Sequence, residues 1–173
     1  MTSESDKHVE VDPYDPRWPS IFESEKSALL ALFGDSLQGI EHIGSTAICG
    51  LAAKPIIDLM VGARELKVDE AVLLPLRNLG YEHFGEYGIP GRHFFRKGDP
   101  RTHHLHWVQW GGDFWEKQVL FRDYMRAFPK DAEAYERLKK RLAELYRDDR
   151  TKYTQSKTEF VEAVLSKARR WRT

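Results

Sequence analysis

Apolar positions fall into two patterns along the chain. Short continuous or alternating runs dominate the first two thirds, and helical spacing dominates the last third. After a short strand expected at His8 to Val11, Asp-Pro and Trp-Pro turns lead into a helix carrying Ile21, Phe22, Leu29, Leu32 and Phe33, spaced to pack on a sheet. Strands are predicted at Leu37 to Ile43 and Ile56 to Val61, then a helix over Val68 to Leu79 that stops at Gly80. Further strands follow at Tyr81 to Phe84, Arg92 to Arg96 and His104 to Trp110, with a Gly88-Ile89-Pro90-Gly91 turn before the second. From residue 112 onward the pattern predicts three helices: Asp113 to Ala127, Ala132 to Arg147 and Lys152 to Trp171. The fold class read from this order is α+β. The expected organisation is one domain over 1–173, disordered at 1–8, with a helical part at 112–173 that completes the fold or closes a cleft over the sheet.

Composition narrows the function classes. A chain of 173 residues with 41% hydrophobic content can bury a core without disulfides. The 27 Lys and Arg balance 27 Asp and Glu, which argues against a basic nucleic-acid coat or an electrostatic membrane anchor. From Pro129 to the end, however, 13 basic residues face 8 acidic ones, so the helical part is +5 and the remainder −5. A single cysteine, Cys49, rules out an intramolecular disulfide and a Cys-rich metal site, and a buried small side chain is expected there. The opening MTSESDKHVEVD lacks a hydrophobic signal region and no apolar run approaches ~20 residues, so a cytoplasmic location is expected.

The chemistry concentrates at Ile40 to Val61. Gly44 permits close backbone approach, the amides after it can receive an anion, and the Ser45 and Thr46 hydroxyls can add hydrogen bonds. Asp58 is the one ionisable residue in an apolar strand, where an ionised carboxylate needs a cation or strong donors. Lys54 enters that strand from the cleft side. Strand alternation places His104 and His106 on one face and His103 on the other. With Asp58 from one neighbouring strand and Glu41 or His42 from another, this His-x-His pair has the donor chemistry for Zn²⁺, Mn²⁺ or Fe²⁺. Tyr135 with Lys139, Tyr153 with Lys157, and Arg122 with Arg126 are spaced i, i+4, so each pair shares a helix face. The tryptophans read mostly as core rather than as a nucleic-acid platform.

Motifs spread along the chain carry a resemblance: VDPYDPRWP at Val11 to Pro19, EHIGSTA at Glu41 to Ala47, GLAAKPIIDLMV at Gly50 to Val61, and LGY at Leu79 to Tyr81. HLHWV at His104 to Val108, FRDYMR at Phe121 to Arg126, Tyr135 with Lys139, and YTQSKTEFV at Tyr153 to Val161 continue it. Together these resemble the GrpB family, grouped with nucleotidyltransferases of the DNA polymerase beta-like fold. The resemblance implies a nucleotidyltransferase-like mixed sheet with flanking helices. It also implies metal-dependent nucleotidyl transfer to a phosphorylated small molecule or nucleotide, with Mg²⁺ or Mn²⁺, or Zn²⁺, as the ion. In that reading Gly44, Ser45 and Thr46 hold phosphate, and Lys54, Lys139, Tyr153 and Lys157 surround it. Asp58 holds the metal with Glu41, and His104 and His106 complete the metal shell or carry protons. The superfamily's Asp-x-Asp or Asp-x-Glu pair is broken, because Met60 stands where the second acid belongs. Two rivals follow: a non-catalytic phosphate-binding accessory domain of the kind fused to dephospho-CoA kinase, and a His/Asp metal-dependent hydrolase. The acceptor, the nucleotide and the oligomeric state are left open.

Overall fold

The computed structural model describes residues 8–173. Most of the expected disordered tip lies outside the described residues. At His8 itself the chain is held, its Nδ1 lying 3.1 Å from Asp148 Oδ1. The expected strand at His8 to Val11 is reduced to one bridge between Asp12 and Ala53, and Val9 N–H donates to the Arg147 carbonyl. The segment therefore lies against the connector before the second strand and the end of a C-terminal helix, where no long strand partner is offered.

Helix α1 (Trp18–Phe33) begins on Pro19, whose fixed φ suits a first turn, and ends at Gly34. It leads to β1 (Leu37–Ile43), and a short 3₁₀ turn at Ser45–Ala47 precedes β2 (Ile57–Ala63). Helix α2 (Glu70–Asn78), β3 (Tyr81–His83), β4 (His93–Lys97) and β5 (His103–Gln109) follow. The five strands form one mixed sheet in the order β1-β2-β5-β4-β3, parallel only between β2 and β5. The α+β architecture stands as expected, with strand ends within two residues of the sequence reading.

Alternation divides the two faces. Leu59 and Val61 of β2 and Leu105 and Trp107 of β5 pack with Phe22 and Leu29 of α1 and Leu76 of α2. At roughly 25 cal/mol per Å² of apolar surface removed from water, these fully buried side chains bind α1 and α2 to that face. The opposite face carries Asp58 and Met60 of β2, His104, His106 and Val108 of β5, and Ile43 of β1. Helix α3 (Asp113–Ala127) covers part of it through Trp115, which packs with Ile43, Met60 and Val108. Gly62 is what lets α3 come so near: a Cβ there would lie 2.7 Å from both Trp110 and Trp115 ring atoms.

The C-terminal part differs from expectation. Helix α4 (Pro129–Leu145) starts three residues early, with Pro129 at its first position. The single helix expected at Lys152 to Trp171 is broken at Lys157 into α5 (Arg150–Ser156) and α6 (Thr158–Arg172). The amide of Lys157 bonds three residues back to Thr154, and its carbonyl starts α6 by accepting from Val161. This tightened turn lets α5 face the sheet while the apolar side of α6, with Val164, Leu165 and Ala168, packs on α3 and α4. Among the described residues no helix is long and apolar enough to cross a membrane.

Candidate functional site

The strand register brings Asp58 beside His104, and Met60 beside His106, on one face. His106 Nε2 lies 3.1 Å and His104 Nδ1 3.4 Å from the same oxygen, Asp58 Oδ1. Burial by itself raises a carboxyl's pKa, but the hydrogen bonds and charge of the two imidazoles outweigh it and hold Asp58 well below the usual carboxylate range. Burial pushes His104 down and keeps it neutral at pH 7, although Asp58 opposes the shift. The second oxygen, Oδ2, sits under Gly44, where a Cβ would approach it to 2.7 Å. Gly44 has φ 71° and ψ −173°, a conformation essentially restricted to glycine.

A cavity of about 180 Å³ lies over this carboxylate. Its floor is Asp58 and His104, and Ser45, Thr46, Ala53, Lys54 and Ile56 form one wall. Lys139 of α4 and Arg150, Tyr153, Thr154 and Lys157 of α5 form the opposite wall, with His8 to Glu10 at the rim. The helical part thus brings its positive charge to the cavity over Asp58. Lys139 is 3% exposed, and burial pushes its ammonium down to about 7, with Lys157 adding to the effect. Burial, then Arg150, brings Lys157 to about 8 against the pull of Asp58. Each ammonium also lies over the tyrosine four residues before it, Lys139 at 5.0 Å from the Tyr135 ring and Lys157 at 4.3 Å from the Tyr153 ring. Two lysines that lose charge beside one another would each regain it next to an anion.

Not every expected residue arrives there in the expected role. Glu41 shares the Asp58 face, but its carboxylate is paired with the buried Arg122 guanidinium of α3, which also bonds the His42 carbonyl. His42 points to the opposite face, stacks on Phe22 and contacts the Thr46 hydroxyl at 2.9 Å; burial lowers its pKa to about 4. The Thr46 hydroxyl donates to the Ile56 carbonyl, so it closes the loop rather than facing a ligand. The amides of Ala47 and Ile48 close the 3₁₀ turn onto the Gly44 and Ser45 carbonyls, so of the amides expected to receive an anion only those of Ser45 and Thr46, at its start, are candidates. Lys139 Nζ donates to the Ala52 carbonyl. Arg126 Nε donates to the Ala47 carbonyl, so it too holds the loop. Cys49 is exposed, not buried as expected, because its turn faces outward after Ile48 enters the core. Among the described residues no group of three His, Cys, Asp or Glu side chains is disposed to hold a metal ion.

Two arginines join the site without having been singled out from sequence. Arg150 is the first residue of α5, after its Asp149 cap, and lines the cavity. Arg92, 6% exposed, places Nη1 3.3 Å from His106 Nδ1 and donates from Nη2 to the Glu86 and Tyr87 carbonyls. Guanidinium nitrogens only donate, so His106 Nδ1 accepts and its proton resides on Nε2, directed at Asp58. A buried-chemistry signal was present in the sequence, an arginine directly between a glycine turn and an apolar strand, but spacing alone does not say which histidine it meets.

The GrpB protein family model matches residues 8–167, nearly all of the described chain. The chain belongs to the GrpB family. It is 41% identical over 155 residues to the glutamate-rich protein GrpB of Alkalihalophilus pseudofirmus, covering 86% of this chain and 89% of that protein. It is 40% identical over 167 residues to the UPF0157 protein YqkA of Bacillus subtilis, covering 96% of this chain but 49% of that protein, so it spans about half the length of that relative. A solved structure described as the crystal structure of conserved protein GrpB from Enterococcus faecalis matches with a TM-score of 0.84 at 38% identity, over 92% of this chain and 96% of that one. The cavity and its lining residues lie within the GrpB match.

Proposed function

We propose that the cavity binds the polyphosphate of a nucleotide or another phosphorylated small molecule, and that this GrpB protein carries out metal-dependent nucleotidyl transfer over Asp58. One observation carries the reading: a carboxylate oriented by two imidazoles forms the floor of a cavity whose walls carry Lys54, Lys139, Arg150 and Lys157. Both imidazoles are directed at Oδ1 and Met60 is fully buried where a second acid would stand, so the chain offers chiefly Asp58 Oδ2. That suits a hard ion held by one carboxylate, phosphate oxygens and water better than a tetrahedral zinc cage. When bound, such an ion would neutralise phosphate charge and favour in-line displacement. Lys139, Lys157 and Arg150 hold phosphate oxygens as charge builds on them. His104 and His106 both direct a ring nitrogen at Asp58 Oδ1 and so orient its carboxylate.

The buried Met60 favours a second reading, a phosphate-binding accessory domain without turnover. The experiment that separates them is a thermal-shift and turnover screen of nucleoside triphosphates and coenzyme A precursors, with and without Mg²⁺, Mn²⁺ and Zn²⁺. A ligand at a hundredfold excess over its Kd adds ~2.7 kcal/mol. Stabilisation that requires an ion and is lost in a folded Asp58→Asn protein supports transfer chemistry. Ion-independent stabilisation that survives the substitution supports the accessory domain, and no stabilisation by any phosphorylated compound removes both.

A further inference from the structure

Among the described residues Lys139 is the only buried lysine, and it lines the cavity over Asp58. Its Nζ donates to the Ala52 carbonyl and lies 5.0 Å from the centroid of the Tyr135 ring. No acid compensates it directly: Glu136, the carboxylate nearest on the same helix, is given to Lys140 and to the Ala52 amide instead. Lys157 faces it as a second cation. A lysine that is desolvated and set beside another cation is held largely as the free amine, the form that attacks carbonyl carbon. At a pKa of about 7, about half of Lys139 carries no ammonium proton at pH 7, against on the order of one in 3,000 for a lysine at its ordinary 10.5. A neutral amine bonded to Ala52 through one hydrogen keeps its lone pair for the cavity.

The other walls select among carbonyl compounds. Arg150 and Lys157 of α5 line the same cavity, so a ligand whose carbonyl carbon reaches Lys139 has a guanidinium and an ammonium available to an anionic group. The cavity, about 180 Å³, is well below the ~300–1,000 Å³ of pockets that take drug-sized ligands, which limits the compound to a few carbons and one phosphate.

We propose that Lys139 is a covalent site for small phosphorylated aldehydes and ketones, in which its amine attacks the carbonyl carbon while Arg150 and Lys157 hold the phosphate. C=N replaces C=O, and both amine hydrogens leave with the carbonyl oxygen as water. The site rests on the anion-binding part of the polyphosphate reading and not on nucleotidyl transfer. Whole protein at pH 7 is incubated with glyceraldehyde 3-phosphate or with glyceraldehyde, each with cyanoborohydride to reduce the imine to a stable amine, and adducts are mapped by peptide mass spectrometry. Lys139 should be modified on the order of 10-fold or more faster than its exposed neighbour Lys140, because far more of it is free amine. The phosphorylated aldehyde should modify Lys139 on the order of 10-fold faster than glyceraldehyde, and Arg150→Met should erase that preference while Lys139 stays ahead of Lys140. Lys139 modified no faster than Lys140, or at equal rates by the two aldehydes, overturns the proposal. Inorganic triphosphate should slow the reaction by filling the cavity and returning a proton to Lys139. Fast, phosphate-selective modification of Lys139 that triphosphate does not slow supports the covalent site and refutes the polyphosphate reading.

Discussion

Replacing Lys139 by Met should stabilise the ligand-free protein at neutral pH. The Lys139 ammonium is 3% exposed, bonds one carbonyl and is pushed from its ordinary 10.5 to about 7 by burial, with Lys157 adding repulsion. Because its folded pKa lies below the unfolded one, the unfolded chain binds more protons between pH 7 and 10.5, and stability contributed by this group rises with pH across that window. At 1.36 kcal/mol per pKa unit the folded state bears a penalty of about 4 kcal/mol at pH 7, falling to about 2 kcal/mol at pH 9. Methionine removes the penalty and keeps most of the apolar stem, but leaves the Ala52 carbonyl without its donor at about 1–3 kcal/mol. The net expectation is a gain of about 1–3 kcal/mol at pH 7 that shrinks by about 2 kcal/mol by pH 9, together with loss of triphosphate binding. Urea unfolding of wild type and Lys139→Met at pH 6.5, 7, 8 and 9 reads both the gain and its slope. A difference that stays constant with pH, or a variant less stable at pH 6.5 than at pH 9 relative to wild type, would refute the reasoning.

Three other perturbations test separate parts of the site. Asp58 has a folded pKa held below 3.8, so its contribution is present above that value and is lost as pH falls; acid titration by circular dichroism should show this limb in wild type and not in Asp58→Asn. Gly44→Ala forces a side chain into a Gly-only conformation 2.7 Å from Asp58 Oδ2, and should cost about 1–3 kcal/mol in chemical denaturation as well as weaken anion binding. In long-range ¹H–¹⁵N NMR spectra, His106 should carry its proton on Nε2 in wild type and lose that preference in Arg92→Met; an Nδ1–H tautomer in wild type would contradict the Arg92 contact.

Much of the sheet was legible because its side chains obey a period of two. The alternation that placed His104 and His106 together and His103 opposite also put Asp58 on their face once β2 and β5 paired in parallel. The break at Lys157 was not legible. Residues 152–171 contain no proline or glycine, and nothing local interrupts their helical spacing. The interruption is tertiary in origin: α5 has to face the cavity with Tyr153 and Lys157, while α6 has to bury Val164, Leu165 and Ala168. A continuous helix could not serve both directions.

The site follows the same division between local and distant causes. Asp58 announces itself as a lone acid in an apolar run, and Gly44 as the residue that can lie against it. What the chain does with Glu41, Thr46 and Arg122 depends on partners far away in sequence. Arg122 reaches back 81 positions to neutralise Glu41, and this removes the acid most easily mistaken for a second metal ligand. Thr46 is turned by its bonds to Ile56 and His42. The consequence is a first strand whose polar groups are engaged by α3 and the loop, leaving Asp58 as the sheet's principal charge toward the cavity. Under the proposed reading a polyanion beside Lys139 and Lys157 would draw a proton onto each of these two lysines, which burial has partly discharged, and would gain from both. Phosphate affinity should therefore weaken as pH rises through about 7 to 8, which titration calorimetry in buffers of different ionisation enthalpy would register as proton uptake on binding. Binding with no proton uptake at pH 7.5 would mean that the two lysines do not meet the anion.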